Sequence, residues 1–296
     1  MADLLVILLS LAYYLNEIRT EGRMVNRNKS YLMESFEEAT RLEMKSDPEA
    51  LRRQALWCGV KPGLRVMDAG FGSGKTASIL HDMIQPNGYI LGVDSSEERT
   101  ALAKKKYGRK PGIEFLVHDL RKPLKDFDTF DLIWVRFFLE YHRKESLQIV
   151  KNLTECLKPG GYLCLLDLDH NCLNHHGMTP EMESIVFMTI NMLEKKYNFD
   201  PYAGRKLYAY LYDLGFENVE VDVHAHHLIY GKVQEKDAFN WLKKEEVIIR
   251  KTKALFKNYP GGHEGFNKDF TEYFFNPRRF IYTPMILCKG RKPLSA

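Results

Sequence analysis

Apolar and polar positions follow two alternating rhythms from Leu64 to about Leu168. Short apolar runs fall at Leu64–Met67, Tyr89–Val93, Ile113–Val117, Phe130–Val135 and Tyr162–Leu168. Short, mostly apolar runs between helical segments predict strands of a parallel sheet covered on both faces. Between them lie segments of helical spacing: Thr76–Ile84, the stretch from Ser95 to Gly108, and Lys144–Leu157. The turn signals "QPNG" and "KPGG" close the first and the third. In the second, Ser95 with Glu98 reads as a capping box, Lys104–Lys106 sit in the last turns, and Gly108 and Pro111 end it. The alternation predicts an α/β fold: a doubly wound, mostly parallel sheet with helices on both faces.

Beyond Leu168 the rhythm loosens. Glu181–Tyr197 and Arg205–Leu214 read as helices, Val219–His227 and Phe280–Lys289 as strands, and Asp237–Phe275 as a helical, aromatic-rich insertion. A structureless loop of roughly 40 residues inside one domain would be improbable, so the insertion is expected to fold. Upstream, Ser35 with Glu38 and Ser46 with Glu49, the second with Pro48 in the first turn, mark two N-terminal helices.

The 296 residues, 45% of them apolar, suffice for one domain with insertions. A net charge of +4, with both signs interspersed, gives no basic stripe for nucleic acid. Five cysteines, odd in number and without a CxxC, read as reduced thiols of a cytoplasmic protein. The apolar run Leu4–Leu15 is shorter than the roughly 20 residues a membrane span needs, and Asp3 stands where a signal peptide carries a base. It is read as a docked helix, or as sequence ahead of a start at Met24. No membrane span is expected.

The chemistry concentrates at "MDAGFGSGKT", residues 67–76. Ala69–Thr76 is a permissive match to a phosphate-cradling loop, in which Lys75 and Thr76 would serve phosphates and Mg²⁺. Asp68 opposes that reading, because a carboxylate at the strand mouth repels phosphates and favours a sulfonium and an ammonium. A dinucleotide fingerprint would need glycine at position 75, where this chain has Lys75. Asp94, at the tip of the next strand, suits a ribose diol.

Asp68-Ala-Gly70-Phe-Gly72-Ser-Gly74, Asp94 a strand later, "HDL" at 118–120, "FDLIWVRFFLE" at 130–140 and "LKPGGYL" at 157–163 together resemble the class I S-adenosylmethionine-dependent methyltransferases. The likeness is strongest to the small-molecule group of the ubiquinone/menaquinone-biosynthesis type, and covers about Tyr31–Asp169. "ESFEEATRLE" resembles the N-terminal lid of some members, and "FIYTPMILCKGRKP" their last strand. The resemblance implies a seven-stranded Rossmann-like sheet with a reversed final strand, and helical insertions. It divides the chain into N-terminal helices and lid (1–59), a cofactor-binding core (60–170) and C-terminal strands with insertions forming an acceptor cap (171–296). It implies S-adenosyl-L-methionine as cofactor, held by Asp68, Gly70, Gly72 and Gly74, by Asp94 and Ser95 at the ribose, and by Asp119 and Leu120 at the adenine. Arg136 would lie at the methionine portion or the substrate mouth, with Tyr31 and Arg41 closing over the site.

Methyl transfer from a sulfonium is an in-line displacement, so the protein's task is alignment and exclusion of water. A general base serves a phenol or alcohol only; His142 and His170 are the candidates, with His175 and His176 beside them. No metal is assigned, although "DLDHNCLNHH" (167–176) carries ligand-type side chains. The sequence after the fourth strand, "VRFFLEY", matches neither an adenine-amino nor a cytosine methyltransferase loop. A small organic acceptor is therefore expected, and no nucleic acid. The alternatives are a P-loop nucleotide hydrolase and a methyltransferase-fold protein that binds cofactor without turnover. Oligomeric state is not legible.

Overall fold

The computed structural model describes residues 47–170 and 173–294. Among them the chain forms two compact units. The larger comprises Ser46–Asn174, Leu193–Leu228 and Tyr282–Ala296; the smaller contains His175–Met192 and Ile229–Ile281.

The larger unit begins with helix α1 (Pro48–Trp57), then β1 (Arg65–Ala69), α2 (Lys75–Ile84), β2 (Tyr89–Asp94), α3 (Glu97–Tyr107) and β3 (Ile113–Val117). Next come β4 (Phe130–Arg136), α4 (Ser146–Glu155) and β5 (Leu157–Leu168). A two-residue strand, β6 (His175–His176), precedes α5 (Pro180–Lys196), α6 (Leu207–Asp213) and β7 (Glu217–Tyr230). Helices α7 (Glu235–Thr252) and α8 (Gly262–Phe275) lead to the last strand, β8 (Phe280–Arg291). The sheet order is β3-β2-β1-β4-β5-β8, with β7 also paired to β8. Strands β1 to β5 are mutually parallel, and β8 runs antiparallel to β5. The reversed last strand is present as expected, but the sheet has eight strands rather than seven, the short β6 being the addition. Within the smaller unit, β6 adds antiparallel pairing to Phe280 and Ile281.

Side chains on a strand alternate between faces, which explains why both sheet faces are apolar. Val66, Ile90, Leu132, Trp134 and Leu166 turn to one face, under Leu51 of α1 and Leu80 and Ile84 of α2. Met67, Leu91, Ile133 and Leu165 turn to the other, against Ile149 and Leu153 of α4 and Leu207 and Leu211 of α6. Each fully buried Leu or Ile contributes about 1.5–3 kcal/mol of burial free energy. Helix α6, read from sequence as part of the cap region, thus packs in the sheet's core. Cys58, Cys156, Cys164 and Cys288 are buried free thiols.

Two helix starts differ from expectation. Strand β2 runs through Asp94, so the turn takes Ser95, and Ser96 becomes the cap, its hydroxyl accepting from Arg99 N at 3.3 Å. Helix α1 is capped by Asp47, which accepts from Glu49 N at 3.0 Å. The expected "KPGG" turn is absorbed into β5, where Gly160 has φ +76° and the pairing with β4 shifts register. The long insertion is folded as two helices. Their aromatic side chains pack on one another in the smaller unit: Phe266 lies 6.0 Å from Phe270, which lies 6.0 Å from Phe274. No helix among the described residues is long and apolar enough to cross a membrane.

Candidate cofactor site at the carboxyl ends of β1, β2 and β4

Register and alternation bring three charged residues to one face of the sheet. Asp68 on β1 pairs with Gly92 on β2 and with Trp134 on β4. Asp94 and Arg136 lie two residues beyond those partners, so all three side chains share the face of Val66 and Trp134. Gly92 lets the Phe115 and Phe71 rings pack close to that face, because a Cβ there would stand 2.7 Å from Phe115 and 2.9 Å from Phe71.

Asp68 is buried, and its Oδ2 has no hydrogen-bond partner among the described residues. Burial raises its pKa from 3.8 to about 7, partly offset by the nearby Arg136 guanidinium. Arg136 donates from Nε to Gln54 Oε1 at 3.1 Å and lies 4.0 Å from the centre of the Phe137 ring. Burial lowers its pKa to about 10, with Asp68 opposing that shift. This face therefore holds a carboxyl group and a guanidinium that do not bond each other and can each serve a ligand charge.

Between β1 and α2 the backbone must turn sharply. Gly70 has φ +79°, and a Cβ there would stand 2.3 Å from Phe138 Cδ2. Gly74, at φ +82°, opens α2, where a Cβ would meet Ala103 Cβ at 2.8 Å. The N–H groups of the loop's three glycines are spent inside the protein. Gly70 N donates to Val93 O at 2.7 Å, Gly72 N to Asp94 Oδ2 at 3.1 Å, and Gly74 N to Phe71 O at 3.1 Å. A phosphate cradle needs those donors free. The phosphate-loop reading has no support, and Lys75 is an ordinary first residue of α2. Gly70→Ala combines a left-handed conformation with the Phe138 overlap. It should cost about 2–4 kcal/mol, read as a lowered midpoint in denaturant unfolding.

Asp94 is not the open acceptor that the sequence suggested. Its Oδ1 accepts from Ser96 N at 3.0 Å and from Arg99 Nη2 at 2.7 Å, while Oδ2 holds Gly72 N. It anchors both the glycine loop and the start of α3. Three of its roughly four lone-pair directions are occupied, so holding both hydroxyls of a diol requires the Arg99 contact to give way.

Asp119 is held by Arg121, which donates from Nε and Nη2 at 2.8 Å each. That pairing keeps its carboxyl below the usual range. Leu120 beside it is buried. His142 belongs to the same cluster: its ring lies 4.5 Å from Phe138, the ring that fills the space over Gly70. Burial lowers its pKa to about 4, reinforced by Arg121, while the Asp119 and Asp94 charges act the other way. His170 has φ +50° and stands edge-on to Tyr202 at 5.1 Å. His175 is in the smaller unit, its Nδ1 3.4 Å from the Tyr273 hydroxyl. Ser95 fills the turn after Asp94. Tyr31, Arg41 and the Ser35–Glu38 capping box lie outside the described residues. No cluster of metal-ligating side chains occurs among the described residues.

Several members of the site carry no clear local signal. Gln54 is 82 residues from its partner Arg136, and nothing in "RRQAL" distinguishes it. Phe138 is one aromatic among many. Arg99 has a faint signal: a base in the first turn of a helix opposes the macrodipole, and so points to a nearby carboxylate.

Residues 66–161 match the family model described as a methyltransferase domain. The demethylmenaquinone methyltransferase of Lysinibacillus sphaericus (strain C3-41) is 31% identical over 110 residues, 36% of this chain and 46% of that protein. The chloroplastic 2-phytyl-1,4-beta-naphthoquinone methyltransferase of Arabidopsis thaliana is 25% identical over 181 residues, 55% of this chain and 67% of that protein. The chain thus spans about half the length of the demethylmenaquinone methyltransferases it matches. In fold it is similar to Haemonchus contortus phosphoethanolamine N-methyltransferase 2 in complex with phosphomonomethylethanolamine and S-adenosylhomocysteine. That likeness has a TM-score of 0.51 at 18% identity, over 83% of this chain and 52% of that one. Sheet order and glycine loop agree with the match of residues 66–161 to a methyltransferase domain.

Proposed function

We propose that the protein binds S-adenosyl-L-methionine and transfers its methyl group to a small organic acceptor. The observation that carries this reading is Asp68, a buried carboxylate with an unpartnered oxygen at the mouth of β1, beside Arg136 and one strand from Asp94. The cofactor supplies a methyl group on a sulfonium. Asp68 faces the cationic portion of the ligand, Arg136 its carboxylate, and Asp94 the ribose hydroxyls, with Ser95 beside it. Gly70, Gly72 and Gly74 bring the backbone close, and Leu120 and Asp119 border the base.

His142 is neutral near pH 7, since its pKa is held at about 4. It accepts a hydrogen bond and orients an acceptor group, but is too weak a base to carry a proton at that pH. His170, against Tyr202, is the second candidate. Acceptor recognition falls to residues 171–296. The matched relatives that are named for quinone or naphthoquinone methylation favour an acceptor of small-molecule size. We place the protein in the cytoplasm on its reduced, buried cysteines.

Calorimetry tests the cofactor reading. S-adenosylmethionine should bind, and ATP with Mg²⁺ should not; the reverse result would remove the reading. Lysate supplied with labelled cofactor should then yield a small methylated product by mass spectrometry, and label confined to nucleic acid would contradict the acceptor class.

A further inference from the structure

Two adjacent arginines close the turn from α8 into β8, and they have opposite fates. Arg278 is exposed, whereas Arg279 is among the most completely buried side chains of the protein, 2% exposed. The turn fixes it: Arg278 N donates to Asn276 Oδ1 at 2.9 Å and Arg279 N to Asn276 O at 3.1 Å. Its Nε donates to Phe274 O at 2.9 Å. Both terminal nitrogens, Nη1 and Nη2, are buried with no hydrogen-bond partner among the described residues.

A guanidinium stays charged in a protein, and burying one without a counter-charge costs several kcal/mol. Burial lowers its pKa, and Tyr273 and the Asp237 charge oppose that shift without bonding its two terminal nitrogens. Around it the smaller unit is aromatic. Its Cζ lies 5.6 Å from the Phe274 ring centre, Phe274 lies 6.1 Å from Trp241, and His175 stands edge-on between Trp241 and Tyr273 at 6.0 and 6.3 Å.

We infer that Arg279 is the anchor of a binding site for a carboxylate carried on an aromatic ring. The two unmet nitrogens are the pair that a planar carboxylate engages bidentately, and the surrounding rings offer faces and edges to an aromatic body. The site is assigned within the smaller unit and does not depend on the cofactor reading.

Benzoate is the probe, with sodium phosphate and sodium chloride as controls, on the full chain. Benzoate should bind by calorimetry and raise the thermal unfolding midpoint, while phosphate and chloride at equal ionic strength should not. Arg279→Met should abolish the benzoate response and, having lost two buried donors without acceptors, should unfold no earlier than the parent. Arg279→Lys keeps the charge but not the fork, and should weaken benzoate by at least about tenfold. S-adenosylmethionine affinity should be unchanged in both variants, which keeps this test separate from that of the cofactor site. An absence of any benzoate effect on the parent, an equal effect in Arg279→Lys, or a response to phosphate alone would each overturn the assignment. Failure of Arg279→Met to fold leaves the parent and Arg279→Lys to decide.

Discussion

Asp94→Ala should weaken S-adenosylmethionine binding by about 30-fold to 1000-fold, equivalent to about 2–4 kcal/mol, whereas Lys75→Ala should cost under about 1 kcal/mol. The ranking follows from place. Asp94 ends β2 and faces the glycine loop, where under the proposed reading its carboxylate would make charge-assisted bonds to ribose hydroxyls. Lys75 begins α2, where a half-exposed ammonium contributes little. A phosphate-binding loop would reverse the order, since there the lysine neutralises the transferred phosphate. Because Asp94 also holds Gly72 N and Ser96 N, Asp94→Ala should lose thermal stability as well. Asp94→Asn, which keeps one acceptor oxygen, should lose less thermal stability than Asp94→Ala while cofactor affinity still falls. A Lys75 defect larger than the Asp94 defect would overturn the cofactor reading.

The second large effect is expected from pH. With a pKa of about 7 in the ligand-free protein, Asp68 is mostly protonated at pH 5.5 and mostly ionised at pH 7.5. If the ionised form is the one that receives a cation, apparent affinity scales with the ionised fraction. It should rise on the order of twentyfold between about pH 5.5 and about pH 7.5. Asp68→Asn should abolish that rise and bind at least about tenfold more weakly at the upper pH. Stability runs the opposite way. The folded pKa lies above the ordinary value of 3.8, so the folded state holds the extra proton between the two. Stability is thus lost as pH climbs from about 4 to about 7, by an amount on the order of 4 kcal/mol, and then levels off. Asp68→Asn should remove that slope too. Denaturant unfolding at pH 5 and pH 7.5, beside calorimetry at the same values, checks both; a parent whose affinity is flat in pH would contradict the role given to Asp68.

Strand and helix succession in the first half was legible because the physics there is local. Five short apolar runs, helix patterns between them, and stop signals such as Gly108 and Pro111 need no distant contacts to be read. The loop at 67–76 was legible for the same reason. Positive φ at Gly70 and Gly74 and a carboxylate at a strand end are properties of adjacent residues. Boundaries were less so. Ser95 and Ser96 are both good caps, and only the length of β2, set by pairing with β3 through Asp94, chose Ser96.

What the sequence determined by itself is the fold class, the doubly wound sheet and the loop that marks its cofactor end. What only the tertiary structure decided is the company each charged residue keeps. Gln54 reaches Arg136 across 82 residues, Arg99 and two backbone N–H groups occupy Asp94, and Phe138 seals Gly70. Arg279 is buried while Arg278 beside it is not. Local propensity acts through bonds within a few residues, whereas burial, and with it every shifted pKa and unmet donor, is set by chain segments brought together only when the core closes.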